Sequence, residues 1–282
     1  MVGTSQFDPR NPVHNMNAFV RLLGDASGER DAVNWYKGAI FSVIGDEAAN
    51  KMLLGFEGFS VCRTVPQADG TFMNLQREVL YYTDPFTGQI LQSWKNPFTG
   101  EEVDVVHVYN DPVNSVYAPE FKQKFGDDGE EVSFPFILPW TFMGDTAMTV
   151  FDVNASWKNV LDPEHWPRES SGERVRVCET LSMFLDRRDL DNPELTAVPY
   201  NGAWQRMSPW CPWMLMGRHE GHLFYRSHYR KLPGGIAELP QALRAYTEQH
   251  FPDYLVAPDK WTEPNLTSFE TYARDQQPAP VA

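Results

Sequence analysis

Period-two alternation of apolar and polar side chains limits the folds open to this chain more than any other feature. In RVRVCETLSMFL (174–185), Val175, Val177, Leu181, Met183 and Leu185 fall on one side, with Arg174, Arg176, Cys178, Thr180 and Ser182 opposite. An extended strand sorts side chains in this way; a helix does not. The same period runs through VNWYKGAIFSV (33–43), where Trp35, Ala39, Phe41 and Val43 oppose Asn34, Gly38 and Ser42, and it returns in HLFYRSHYRK (222–231). KMLLGFEGFSVCRTV (51–65) reads as two strands bent at Gly55 or Gly58.

The stretch DPFTGQILQSWKNPFTG (84–100) shows how such strands connect. Asp-Pro-Phe-Thr-Gly returns as Asn-Pro-Phe-Thr-Gly, at the spacing of one strand plus one turn. Pro suits the position after a turn's first residue, Asp or Asn bonds the backbone ahead, and Gly supplies positive φ. Segments 75–83, 89–94 and 102–110 are therefore read as a meander, with Phe86 and Phe98 capping an edge of the core. Further strands are expected at 132–138, 146–153, 174–185, 213–217 and 222–231. About ten strands with frequent turns argue for a mainly β, antiparallel domain. A closed or nearly closed β-barrel removes exposed edges and is the favoured architecture; a two-sheet sandwich is the alternative.

Helices belong to the periphery. Val13, Met16, Phe19, Val20 and Leu23 recur at helical spacing before Gly24. Segment 239–250 is helical in pattern, and Thr267 with Glu270 has capping-box spacing. The chain is read as a single domain over 1–282: an N-terminal helical segment at 1–30, the barrel body at 31–232, and a C-terminal helical segment and tail at 233–282.

Composition narrows the function. The balance of 24 basic against 38 acidic residues gives a formal charge of −14. That charge repels phosphate backbones and anionic membranes, so neither nucleic acid nor membrane insertion is expected. With 42% hydrophobic and 13% aromatic residues the chain can bury a sizeable core. The three cysteines, Cys62, Cys178 and Cys211, form neither a disulfide framework nor a CxxC clip. No basic region followed by an apolar stretch opens the sequence, so the expected location is cytoplasmic. A homo-oligomer remains open.

REVLYYTDPFTGQILQSWKNPFTGEEVDVVHVYNDPVN (77–114), PWCPWMLMG (209–217) and the ELP…P-x-Y-x-x-AP segment (238–258) together resemble the family called domain of unknown function 1838. The resemblance covers most of the chain. It implies no catalytic residue, since the family's name carries no chemistry.

Candidate residues come instead from strand patterning. No nucleotide fingerprint, P-loop, nucleophile elbow or HExxH is present, and no cofactor is expected. HEGH (219–222) places its histidines three apart, a hairpin turn rather than a metal-binding helix face. Glu179 interrupts the apolar stripe of 175–185. A carboxylate there loses solvation unless a cation accompanies it, and reads either as a general acid or base or as half of a structural pair with Arg77 or another arginine. His107 shares its strand face with Val103, Val105 and Tyr109, as a core histidine or a proton carrier. Arg77, flanked by Leu75, Val79 and Tyr81, is read as pointing inward, to neutralise Glu179 or hold an oxyanion.

Substrate contacts are expected from Tyr225, Tyr229, Tyr109, Trp35, Trp213, His228 and Phe224, aromatic or polar groups on candidate inner faces. The leading expectation is a cofactor-independent enzyme, an isomerase, cyclase, dehydratase or lyase, using acid–base chemistry on an apolar or aromatic small molecule. Its alternatives are a lipocalin-like binding protein without chemistry and a metal-assisted hydrolase using some of the histidines.

Overall fold

Residues 7–47, 49–109, 114–124, 130–261 and 264–281 are described by a computed structural model. The element order is α1 (Pro12–Leu23), β1 (Ala32–Val43), β2 (Lys51–Pro66), β3 (Phe72–Thr83), β4 (Ser93–Lys95), β5 (Glu102–Asp104), β6 (Val108–Tyr109) and β7 (Ser115–Tyr117). It continues with β8 (Glu120–Lys124), β9 (Glu131–Pro135), β10 (Trp140–Met143), β11 (Thr146–Lys158), β12 (Arg174–Asp186), α2 (Arg187–Asp191) and β13 (Asn201–Ser208). β14 (His222–Leu232), α3 (Gln241–His250) and α4 (Ser268–Asp275) complete it.

The fold is mainly β. One antiparallel sheet of ten strands runs β10-β11-β12-β13-β14-β1-β2-β3-β6, with β7 also on β3. In a flat sheet β11 and β3 would lie roughly 29 Å apart, at about 4.8 Å per strand. Yet Phe19 of α1 touches Phe151 of β11 at 4.9 Å and Tyr117 of β7 at 5.2 Å. The sheet therefore curls around the end of α1. No ladder joins β10 to β6 or β7 among the described residues, so the sheet stops short of the closed barrel expected from strand count. Among the described residues the strands outside this sheet, β4–β5 and β8–β9, form only two-stranded ribbons and no second large sheet.

Burial explains where alternation shows and where it does not. On β12, solvent faces one side and the pattern alternates through its first half. On β2, both faces are covered. Its outer side, with Phe59 and Val61, packs with Leu239 and Leu243 beside α3, so ten consecutive residues are buried. The segment expected to bend at Gly55 or Gly58 is accordingly one 16-residue strand.

Other expectations change as well. The meander is mostly turns: beyond β3 only a bridge from Thr83 to Ile90 and the short β4, β5 and β6 remain, and residues 110–113 lie outside the described set. Both turns form as expected. Asp84 Oδ1 accepts from Phe86 N (3.0 Å) and Thr87 N (2.7 Å), and Asn96 Oδ1 accepts from Phe98 N (2.8 Å). Gly88 and Gly100 take φ of 74° and 76°. Their phenylalanines differ: Phe98 packs on Trp210 at 5.4 Å, whereas Phe86 is 84% exposed and caps nothing. Segment 213–217 is not a strand. Pro212–Met214 forms a 3-10 turn ending at Leu215 with φ of 54°. A further strand, β13, forms at Asn201–Ser208, where none was expected.

α1 docks through its C-terminal carbonyls. Lys231 Nζ donates to the Arg21 and Gly24 carbonyls (2.6 Å each), and Asn34 Nδ2 to that of Leu23 (2.8 Å). Donors there satisfy carbonyls that a helix end leaves open. No helix among the described residues is long and apolar enough to cross a membrane.

Candidate functional site

Alternation on the curled strands turns one set of side chains inward, and these line a cavity of about 440 Å³. β1, β3, β11, β12, β13 and β14 all contribute to the lining. α4, the connection 105–107 and the Pro209–Trp213 turn complete it. Phe269 and Tyr272 reach the lining because the Thr267–Glu270 capping box, formed as expected, fixes the start of α4.

Register places the polar groups. Glu179 on β12 stands opposite Arg206 on β13, and Arg206 opposite Tyr225 on β14. The three make a cross-strand row on the cavity face, continued by Ile40 of β1. Glu179 Oε2 accepts from Trp204 Nε1 (3.1 Å), and Glu179 Oε1 lies 3.4 Å from Arg206 Nη1. The cation that accompanies Glu179 is thus Arg206. It is not Arg77, which stands on the outer face of β3: its guanidinium donates to the Asp253 carbonyl and lies 5.7 Å over the ring of Tyr254. Arg77 is correspondingly absent from the cavity lining, and the residue that faces inward beside it is Glu78. The apolar neighbours that suggested otherwise, Val79 and Tyr81, are buried outward beneath α3.

A second polar group sits on another wall. Tyr36 Oη donates toward Glu78 Oε1 (2.7 Å) and the Val79 carbonyl (2.9 Å), and its ring stacks on Tyr229 at 5.6 Å and 7°. Gly58 leaves room for this stack, since a Cβ there would fall 2.6 Å from Tyr36 Cε2.

His107 lies in the connection between β5 and β6 rather than on a strand, and it lines the cavity. Its Nδ1 accepts from Tyr82 N at 3.2 Å, which leaves the ring proton on Nε2. Burial lowers its pKa from 6.5 to about 4, against an opposing contribution from the Leu91 backbone, so the ring is neutral at pH 7. A third group joins Tyr82, Cys211 and Tyr225: Cys211 Sγ is 3.2 Å from Tyr82 Oη and 3.3 Å from Tyr225 Oη.

Of the expected substrate contacts, Tyr225, Tyr229 and Trp213 line the cavity. Four do not. Trp35 is on the outer face, donating to Glu57 Oε1 (3.0 Å) beneath Arg230. Phe224 lies under the Arg226 guanidinium at 4.8 Å, and His228 is exposed on the same outer face of β14. Tyr109 donates to Asp275 Oδ2 at the edge of α4. Arg206, Glu78, Tyr82 and Cys211, which also line the cavity, were not singled out as site residues from the sequence. Period two in NGAWQRMS (201–208) puts Arg206 on the face of Gly202 and Trp204, but nothing local to that segment pairs it with Glu179.

Among the described residues, no three His, Cys, Asp or Glu side chains converge as a metal-binding group. HEGH is not helical: it runs from a turn at 216–219 into β14, with His219 Nδ1 against the Met216 carbonyl at 2.5 Å.

A family model described as protein of unknown function (DUF1838) matches residues 29–276. No curated protein matches the sequence. A solved structure described as lipid–protein interactions in lipovitellin aligns with 72% of this chain and 25% of its own, at 9% identity and a TM-score of 0.28. At that score the alignment carries no argument.

Proposed function

This chain belongs to the DUF1838 family, and we propose that it is a cofactor-independent enzyme whose barrel-like sheet holds an apolar or aromatic small molecule for acid–base chemistry. The observation that carries this reading is Glu179, a carboxylate on the wall of an otherwise largely apolar and aromatic cavity, held by Trp204 and Arg206. Aromatic walls with a few convergent polar groups suit a small-molecule ligand. Two fixed donors aim the carboxylate, and positioned acid–base groups of this kind contribute about 10²–10⁴-fold to proton transfer. Isomerisation, cyclisation, dehydration and lyase cleavage all begin with such a transfer. His107, neutral with its proton on Nε2, acts in this scheme as a hydrogen-bond donor rather than the base.

A lipocalin-like binding protein is the second reading, favoured by the predominance of ring and aliphatic surface in the lining. The two separate on Glu179→Gln. Organic extraction of the purified protein, followed by mass spectrometry, identifies the compound it carries. That compound is then incubated with wild type and variant in D2O. An enzyme converts it, or exchanges deuterium into a carbon position, only in the wild type, while affinity stays within a few-fold in both. Identical behaviour of the two proteins refutes the catalytic role of Glu179 and leaves the binding protein.

A further inference from the structure

Tyr82, Cys211 and Tyr225 come from three separate segments, β3, the turn after β13, and β14, yet their polar atoms meet at one place on the cavity wall. Cys211 Sγ bridges the two phenols, in contact with both Tyr82 Oη and Tyr225 Oη. Around them lie Phe56, Trp204 and Trp213, an environment that apolar side chains would fill at lower cost than two hydroxyls and a thiol.

We propose that this cluster is a donor site for the oxygen of an enolisable aromatic ketone, or of a phenol that resembles its enol, with Glu179 as the proton carrier for the same ligand. The proposal rests on the acid–base reading above and specifies its substrate class. All three groups carry a proton and none is charged. Burial pushes the Tyr82, Tyr225 and Cys211 groups upward in pKa, so they remain donors at every working pH. The positive field of Arg206 reaches both Cys211 and Tyr225. Neutral donors preorganised in a dry site stabilise an oxygen as it gains negative charge.

The register supplies the spacing. Glu179 and Tyr225 stand two strands apart in one row, about 10 Å between backbones, with Arg206 between them, so a ring bearing a carbonyl would lie over the Arg206 side chain to reach both. The step balances without another reactant. Glu179 takes a proton from the carbon beside the carbonyl, the C–H pair becomes a C=C bond, and the carbonyl π pair moves onto oxygen. Glu179 then returns the proton to that carbon or, in a conjugated ligand, to the far end of the conjugated system, with the electron flow reversed.

The test compares naphthalene with 2-naphthol, the same ring system with and without the oxygen, by calorimetry on the wild type, Tyr225→Phe, Cys211→Ala and the Tyr82→Phe/Tyr225→Phe double variant. In the wild type 2-naphthol is expected to bind about tenfold more tightly, the worth of one or two buried hydrogen bonds. The double variant should bind both compounds equally, with naphthalene affinity unchanged. The affinity ratio does not depend on the fraction of folded protein, so the milder single variants decide the matter if the double variant folds poorly. Deuterium exchange at the carbon next to the carbonyl of 2-tetralone, followed by NMR, should accelerate with wild type and slow at least several-fold in Tyr225→Phe. Equal binding of the two naphthalenes by the wild type, or a preference that survives the double substitution, overturns the donor site and leaves the cavity reading standing. Binding of neither compound overturns both.

Discussion

Replacing His107 with phenylalanine should make the protein less sensitive to acid. The wild-type imidazole is buried between the rings of Tyr81, Tyr82 and Tyr246, and its pKa falls from 6.5 to about 4 in the folded chain. An unfolded chain binds this proton near pH 6.5; the folded chain refuses it until near pH 4. Stability attributable to His107 is therefore fully present above pH 6.5, falls as the pH drops between the two values, and is gone below about 4. The fall from 6.5 to about 4 makes that loss about 3–4 kcal/mol. Phenylalanine also forfeits the Tyr82 N–H bond to Nδ1, a cost of about 1 kcal/mol wherever the wild-type ring is neutral. Urea unfolding of both proteins, at pH 7.5 and near pH 4, reads the difference directly, because carboxylates common to both cancel. The variant should be slightly less stable at neutral pH and more stable than wild type in acid. A wild-type-minus-variant difference that does not change with pH would refute the assignment of a buried, neutral imidazole.

Three further outcomes follow from the packing. Gly58→Ala should destabilise by about 1–3 kcal/mol and loosen the Tyr36–Tyr229 stack, read by denaturant unfolding and by near-ultraviolet circular dichroism. Thr267→Ala removes the cap of α4, worth about 1 kcal/mol locally, and should speed amide exchange in 268–275 while leaving β12 and β14 unchanged. Lys231, whose pKa burial lowers from 10.5 to about 7, should make stability rise with pH through that interval. Lys231→Met, compared at pH 7 and pH 10, should lose that rise.

Much of the fold was legible because local physics wrote it. α1, β1, β12 and β14 each expose a face to a different environment, and periodicity records that difference. The Asp-Pro-Phe-Thr-Gly and Asn-Pro-Phe-Thr-Gly turns depend only on their own side chains and glycines. Closure of the sheet was not legible, since it depends on whether distant edges meet. The orientation of Arg77 failed for a related reason: β3 is buried on both faces, so apolar neighbours do not tell inside from outside. Glu179 was visible as a carboxylate among aliphatics on β12. Its partner was not, because Arg206 meets it through cross-strand register and β13 is short and follows a proline-bearing connection. The meeting of Tyr82, Cys211 and Tyr225 likewise arises only in three dimensions.

The most direct test of the account is whether the cavity binds a small apolar ring. Ala155 lines it from β11, and Ala155→Trp would fill part of its volume from a strand that carries neither Trp204 nor Arg206. Saturation-transfer NMR and calorimetry with naphthalene should show binding to the wild type and its loss in Ala155→Trp, with unchanged far-ultraviolet circular dichroism. Naphthalene binding that is equal in both proteins, or absent from both, would contradict the claim that the curled sheet encloses the functional site.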